Sequence, residues 1–286
     1  MSTGLIHFNP RDRASWPERL RDASIGGLSV RGGPLDARCV LAIVGSREAH
    51  PALIEGARAL ASACAARGIV VASGGALGVD AAAHEAALEQ PNGVTWAVLG
   101  HGAPYTSPSS HEALFARIAA RGALVYPFPI TQKPARTTFV RRNTALVALA
   151  DAVVVVQAGD KSGALDTAKK ARAQARPLWV VPPPAWIDAP GSTALLRAGA
   201  RPLDRFEPLF RTLDEIERSH RTDRAARPGE DLEARVLAFM GDDPRHPDEL
   251  VRGLALPLPE ISHALLTLSL ESVLVVAPDG RYRRCR

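Results

Sequence analysis

Three corners of this sequence place glycine and serine where a β-branched run gives way to helical composition. Val40–Val44 leads into Gly45-Ser46-Arg47, Val70–Ala72 leads into Ser73-Gly74-Gly75-Ala76-Leu77-Gly78-Val79-Asp80, and Ala152–Val156 leads through Gln157-Ala158-Gly159-Asp160-Lys161 into Ser162-Gly163. The first amides of a helix have no internal acceptor and carry about half a positive charge, so such a corner can hold a phosphate or carboxylate that glycine lets approach. One corner alone means little, because a strand-to-helix turn also needs glycine for its backbone angles. Three of them on one parallel sheet would open on a common crevice at the strand ends. Charge comes from a nearby stretch, where Lys133, Arg136, Arg141 and Arg142 fall within ten residues. Arg141 and Arg142 stand near a helix start, where the dipole disfavours cations unless an anion is present. Phe139 and Tyr105 lie in two loops that could offer a flat face to a nucleobase.

Positioning these groups requires alternating strands and helices. Strands are expected at 40–45, 69–72, 94–99, 123–126, 152–156 and 178–181, with helices at about 51–67, 78–89, 110–121, 139–150 and 163–175. Gly68 and Gly122 stop two of the helices, Pro182-Pro183-Pro184 ends the sheet, and Gly191–Ala200 reads as one more short helix. The pattern specifies an α/β fold with a mostly parallel sheet, helices on both faces, and a domain spanning 39–210. Residues 1–38 read as a poorly patterned lead-in ending in an edge strand at Leu28–Gly32. Residues 211–231 are charged and read as a linker. Leu232, Val236, Leu237 and Met240 recur at helical spacing, Pro247 and Leu258 open two more helices, and strands flank the turn Asp279-Gly280. Three helices and a hairpin make a small winged-helix domain over 232–286.

A chain of 286 residues that is 46% apolar buries a full core, and its formal charge of +5 favours a polyanionic partner. Three cysteines without ligand spacing point to a reducing compartment and away from a disulfide framework or zinc site. No run approaches a membrane span and no secretory leader is evident, so a cytoplasmic protein is expected. His84, His101 and His111 lack metal-ligand spacing, and Gly45-Ser46-Arg47 lacks the Lys and Ser/Thr of a P-loop. No cofactor or metal is expected.

In order and spacing the chain resembles the DNA-processing protein A family, DprA or Smf. The residues that carry this are Trp16-Pro17 with Val30-Arg31-Gly32, Ala42–Arg47, Ser73–His84, Ala97–Gly100, Phe139–Asn143, Val155–Ala158, Ser162–Ala168 and Leu195–Ala200. The resemblance implies an extended Rossmann-like domain that holds single-stranded DNA by its phosphates. It further implies protection of that DNA, delivery to the RecA recombinase, a role in natural transformation, and homodimers formed through this domain. Carried over by motif, the DNA-contacting positions are Gly45, Ser46, Arg47, Ser73, Gly74, Arg141, Arg142, Asn143, Ser162 and Gly163. Lys133, Arg136, Phe139 and Lys161 join them from the basic loop, the stacking position and the third corner. The chain departs from the family pattern at Gly75, Leu77, Tyr126-Pro127 and Pro183-Pro184, and Leu77 removes an expected basic contact.

Two rival readings remain at this point. Nucleoside-monophosphate hydrolases of similar fold use a glutamate after a Gly-Thr turn, but Lys169 stands near that place and no catalytic carboxylate is evident. Asp80 and Asp166 are explained as first-turn acids. A duplex-reading regulator is suggested by the winged helix, yet its recognition segment Leu258–Leu268 has no Lys or Arg and opens on Glu260. The basic tail, Arg281, Arg283, Arg284 and Arg286, leaves backbone contacts by the wing open.

Overall fold

The computed structural model describes residues 4–226, 230–241, 243–254 and 256–285. The chain divides between Glu217 and Arg218 into two compact units. In the first, one nine-stranded sheet is built from β1 (Leu5–Phe8), β2 (Leu28–Gly32), β3 (Val40–Val44), β4 (Val70–Ser73), β5 (Thr95–Val98), β6 (Ala123–Tyr126), β7 (Ala152–Val155), β8 (Leu178–Val180) and β9 (Arg201–Pro202). Its order is β1-β2-β6-β5-β4-β3-β7-β8-β9. Neighbours from β6 through β9 are parallel, while β2 runs antiparallel to β6 and β1 antiparallel to β2. The chain steps outward from β3 to β6, then returns to β7 at β3's other side. That reversal sets the switch point between β3 and β7, where open sheets of this type form a crevice beyond the strand ends.

Burial on both faces explains why the strands read as unbroken apolar runs. Val40, Ala42 and Val44 of β3 face one layer, with α5 (Asn143–Leu149), α6 (Gly163–Ala173) and α7 (Pro190–Arg197). Leu41 and Ile43 face the other, with α1 (Pro51–Ala66), α2 (Val79–Glu89) and the start of α8 (Glu207–Ala226). Further along that second face, α3 (Glu112–Arg121) packs on β5 and β6 through Leu114, Phe115 and Ile118. The helix expected from Phe139 is two: α4 (Arg136–Arg141), then α5, whose residues are all buried except Thr144.

Two boundaries differ from the sequence expectation. Residues 5–8, read as unpatterned, form the outermost strand, so Leu28–Gly32 lies one strand inside the edge and the lead-in belongs to the large sheet. The stretch read as a linker is helical through Ala226, because Leu209 and Leu213, one helical turn apart, bury completely against the α1 face. Residues 227–229 lie outside the described residues, as does Arg286.

The second unit contains α9 (Glu230–Met240), α10 (Pro247–Leu254), α11 (Leu258–Leu270) and the hairpin of β10 (Leu274–Val276) with β11 (Tyr282–Arg284). Val236, Met240, Leu250, Ile261, Leu265, Leu268 and Leu274 form its core. Gly280 takes the positive φ of +80° in the hairpin turn. No helix among the described residues is long and apolar enough to cross a membrane.

Within the first unit, His84 on α2 is completely buried. The Thr95 hydroxyl donates to the Val71 carbonyl at 2.6 Å, so it accepts from His84 Nδ1 at 2.7 Å. Nε2 has no partner among the described residues, and a proton there would be buried without an acceptor. Burial first, then Arg142 and His111, hold the imidazole at about 3, well below the 6.5 of an ordinary histidine. As pH falls below about 6.5 the unfolded chain takes up a proton that the folded chain refuses, so stability drops. This one group costs up to about 1.4 kcal/mol per pH unit until pH nears its folded value. Urea midpoints at pH 7, 6 and 5 should fall more steeply for the wild-type chain than for His84→Gln.

Candidate nucleic-acid interface

Because β4, β3 and β7 are adjacent and parallel, the three glycine corners follow their carboxyl ends on a single sheet edge. The first two corners interlock. Gly78, at φ +75°, passes so close beneath the first that a Cβ would come within 2.4 Å of the Ser46 carbonyl oxygen, and Val79 donates its amide to that oxygen at 3.2 Å. A side chain at Gly45 would strike Val79. The first corner is thereby fixed on the start of α2, with Arg47 exposed.

The second corner is occupied by the protein's own carboxylate. Asp80 Oδ2 accepts from the amides of Gly74 at 3.1 Å and Ala76 at 3.4 Å, which takes up part of the anion-attracting potential that the sequence assigned to phosphate. Arg142 lies 3.6 Å from the same oxygen. Its guanidinium rests directly on Gly74, where a Cβ would come within 1.7 Å of a nitrogen. Nη1 donates to the Val98 carbonyl at 2.5 Å and Nε to that of Phe139 at 3.2 Å. Burial lowers the Arg142 pKa while the facing Asp80 carboxylate opposes the shift. Burial raises that of Asp80 against the pull of Arg142 and the two amides.

Above this pair is a small pocket of about 90 Å³ lined by Arg47, Gly74, Gly75, Ala76, Leu77, Ser107, Pro108, Phe139 and Arg142. Phe139 is seated by α4: the Thr138 hydroxyl donates to the Gly100 carbonyl at 2.5 Å, and the Phe139 ring packs on Gly100, where a Cβ would come within 2.5 Å of it. The Arg47 guanidinium stands 5.7 Å from the centre of that ring, within cation–π range. A flat apolar face, an exposed cation above it and a buried cation behind it suit a nucleotide, with the base on the ring and the phosphate on Arg47.

The sequence-derived positions fall into two groups. Gly45, Ser46, Arg47, Lys133, Arg136, Phe139, Arg141, Lys161, Ser162 and Gly163 are exposed or half-exposed, while Ser73, Gly74, Arg142 and Asn143 are buried. Arg47, Gly74, Phe139 and Arg142 meet in the pocket. Ser73 does not reach it with a free hydroxyl, since Oγ donates to the Ile43 carbonyl at 2.6 Å and ties β4 to β3. Asn143 Nδ2 donates to Asp166 at 2.9 Å and to the Gly163 carbonyl at 3.3 Å, so it holds the third corner in place. Ser162 caps α6 by accepting from the Ala164 amide at 3.1 Å, and Gly163 beside it faces open space. Arg141 turns to the Phe128 ring, 5.7 Å away. Ser107 and Pro108 are pocket residues that motif reading did not single out, although both lie in the long loop 100–108, a loop position that favours function, while Leu77, marked in the sequence as a departure from the family pattern, also lines the pocket.

Comparison with known proteins agrees with this architecture. Residues 8–214 match the family model of DNA recombination-mediator protein A, and residues 220–280 match that of the DprA winged helix domain. The chain is 35% identical to protein Smf of Escherichia coli over 297 aligned residues, covering 97% of this chain and 77% of that one. A putative DNA processing protein DprA of Mycobacterium tuberculosis is 42% identical over 176 residues, 61% of this chain, and the match spans less than half, 45%, of that relative's length. Among solved structures, DNA processing protein A of Helicobacter pylori, described for its single-stranded DNA binding mode, superposes with a TM-score of 0.66 at 26% identity, over 75% of this chain and 97% of that one. DprA of Streptococcus pneumoniae does so at 0.63 and 25%, over 70% of this chain and 71% of that one. With its sheet domain and its winged helix each matched in order, the chain belongs to the DprA/Smf family of DNA recombination-mediator proteins.

Proposed function

We propose that this chain binds single-stranded DNA without altering it, shields incoming or processed strands, and passes them to the RecA recombinase during DNA uptake and natural transformation. On this reading it works in the cytoplasm as a homodimer formed through the large domain. The observation that carries the binding step is the Arg47–Phe139 pair over the buried Arg142, because it joins a stacking face to a phosphate cation at one point. Around it Lys133, Arg136, Arg141 and Lys161 are exposed and available to follow a charged backbone, Arg141 from beside the Phe128 ring. Neither rival gains support from the geometry. Asp166 is held by Asn143 and by Lys170 at 2.5 Å, and Asp80 is buried beneath its amides, so neither carboxylate is poised to act on a sugar. The exposed positions of α11 include Leu258, Glu260, Ser262, His263, Leu266 and Leu270, with no Lys, Arg, Asn or Gln among them to read base edges.

Titration of oligo-dT and of duplex across a salt series tests the proposal. Single strands should bind more tightly, and log K should fall against log salt with a slope of about 3 to 4 if all five exposed cations contact phosphate. Preference for duplex would overturn the reading, and release of free base from nucleoside monophosphates would overturn its non-catalytic half.

Arg47→Ala should weaken oligo-dT binding several-fold and reduce the slope by about 0.7 with no change in unfolding midpoint. Arg142→Ala should behave differently. It leaves Asp80 buried without its counter-charge and should lower stability by roughly 3–5 kcal/mol, measured by urea unfolding.

A further inference from the structure

Four tryptophans occur in the chain, and three are core residues: Trp16 and Trp96 are 1% exposed and Trp179 is 5%. Trp186 is 79% exposed. It lies in the loop after β8, which runs parallel to β7 and β3, so this loop leaves the same sheet edge as the glycine corners. With neighbouring strands about 4.8 Å apart, the end of β8 lies on the order of 10 Å from the end of β3.

The indole is held outward by its neighbours. Pro182, Pro183 and Pro184 restrict the backbone leading to it, Ile187 donates its amide to the Pro184 carbonyl at 2.9 Å, and the Ile187 side chain is buried in the α1-side core. An anchored residue directly after the tryptophan limits the loop's freedom, so little conformational entropy remains to be lost when a ligand packs there. The loop is also joined to the two nearest corners. Gln157, at the end of β7, accepts from the His50 amide at 2.8 Å and donates to the Asp188 carbonyl at 3.2 Å, which links the segment after Arg47 to the segment after Trp186. Beyond it, Ser192 and Ala158 exchange hydrogen bonds at 2.9 and 3.1 Å, which docks the start of α7 on the corner that carries Lys161.

We propose that Trp186 is a second base-stacking platform, which extends the single-stranded DNA site from the Arg47–Phe139 pocket across the ends of β7 and β8. The occupant is an unpaired nucleobase, since the loop leaves the sheet edge whose corners carry Arg47 and Lys161, and an indole face stacks on any base without selecting among them. This inference rests on the binding reading above and adds to it a residue and a path.

The experiment compares oligo-dT with an abasic deoxyribose-phosphate oligomer of the same length, using the full chain, Trp186→Ala and Trp186→Phe. Because the other three indoles are buried, quenching of intrinsic fluorescence reports mainly on Trp186. Oligo-dT should quench it strongly and the abasic oligomer weakly. Trp186→Ala should lose about tenfold in affinity for oligo-dT while binding the abasic oligomer as the wild type does. Its salt slope should stay unchanged, because no charge is removed, and Trp186→Phe should keep most of the affinity. If Trp186→Ala binds oligo-dT undiminished, the platform is refuted while the DNA-binding reading stands. Equal loss for both oligomers, or loss of self-association in light scattering with oligo-dT affinity retained, would make the indole a subunit contact and also refute it. Failure of the wild-type chain to bind either oligomer at low salt would remove the binding reading itself.

Discussion

The rim of this sheet depends on one buried ion pair, Arg142 with Asp80. Removing both charges from water costs several kcal/mol per ion, and a single contact of 3.6 Å does not offset that alone. The difference is made up by hydrogen bonds: two amides of the β4 corner to the carboxylate, and two carbonyls, of Val98 and Phe139, from the guanidinium. Those partners belong to four places in the chain, the corner after β4, the start of α2, the end of β5 and the α4–α5 junction. One pair of side chains therefore clamps them into a single body. The absence of a side chain at Gly74 is a direct consequence, since the guanidinium occupies the space a Cβ would fill.

An internal carboxylate in a helix-start corner changes how an outside anion can be held. Gly74 and Ala76 already spend their amides on Asp80, so the rim offers a polyanion exposed side chains in addition to whatever backbone remains open at Gly163 and around Ser46. Long cationic side chains accommodate phosphates at varying positions, which suits a polymer of uniform backbone better than a fixed cradle suits it. Rigidity is kept beneath the surface and adaptability above it. Phe139 is the exception, a flat side chain packed on Gly100 with Arg47 at 5.7 Å from its ring.

Much of this was readable from residue types. Continuous apolar runs such as Ala152–Val155 identified strands covered on both faces, and glycines after them located the turns, so the central strands fall within a residue or two of expectation, while the helix expected over 139–150 starts at Arg136 and is broken at Arg142. What escaped were features whose cause is distant. Leu5–Phe8 is too short to declare itself, and becomes a strand because β2 supplies its partner. The charges of 211–226 mask Leu209 and Leu213, whose helical spacing matters once the α1 face is there to bury them. Arg142 looks like a surface cation until Asp80, far away in sequence, is brought beneath it. Ser73 and Asn143 likewise read as ligand-facing polar groups and prove to be ties between elements.

The same inventory bears on why unpaired strands would be favoured over duplex. In the winged helix, α11 turns Leu258, Leu266 and Leu270 outward, and these offer no hydrogen bonds to base edges. Phosphate contacts at the rim of the large domain, on the proposed reading, would position a strand without carrying sequence information. On that reading, discrimination then comes from aromatic faces, above all the one beside Arg47. In a duplex each base already stacks on its neighbours, so using that ring would first require unstacking a pair, whereas a single strand presents free faces and bends to reach them. Cations alone would favour the more densely charged duplex; on the proposed reading, Arg47 at 5.7 Å from Phe139 would bring the charge contact and the stacking contact to the same nucleotide, and only an unpaired one would satisfy both.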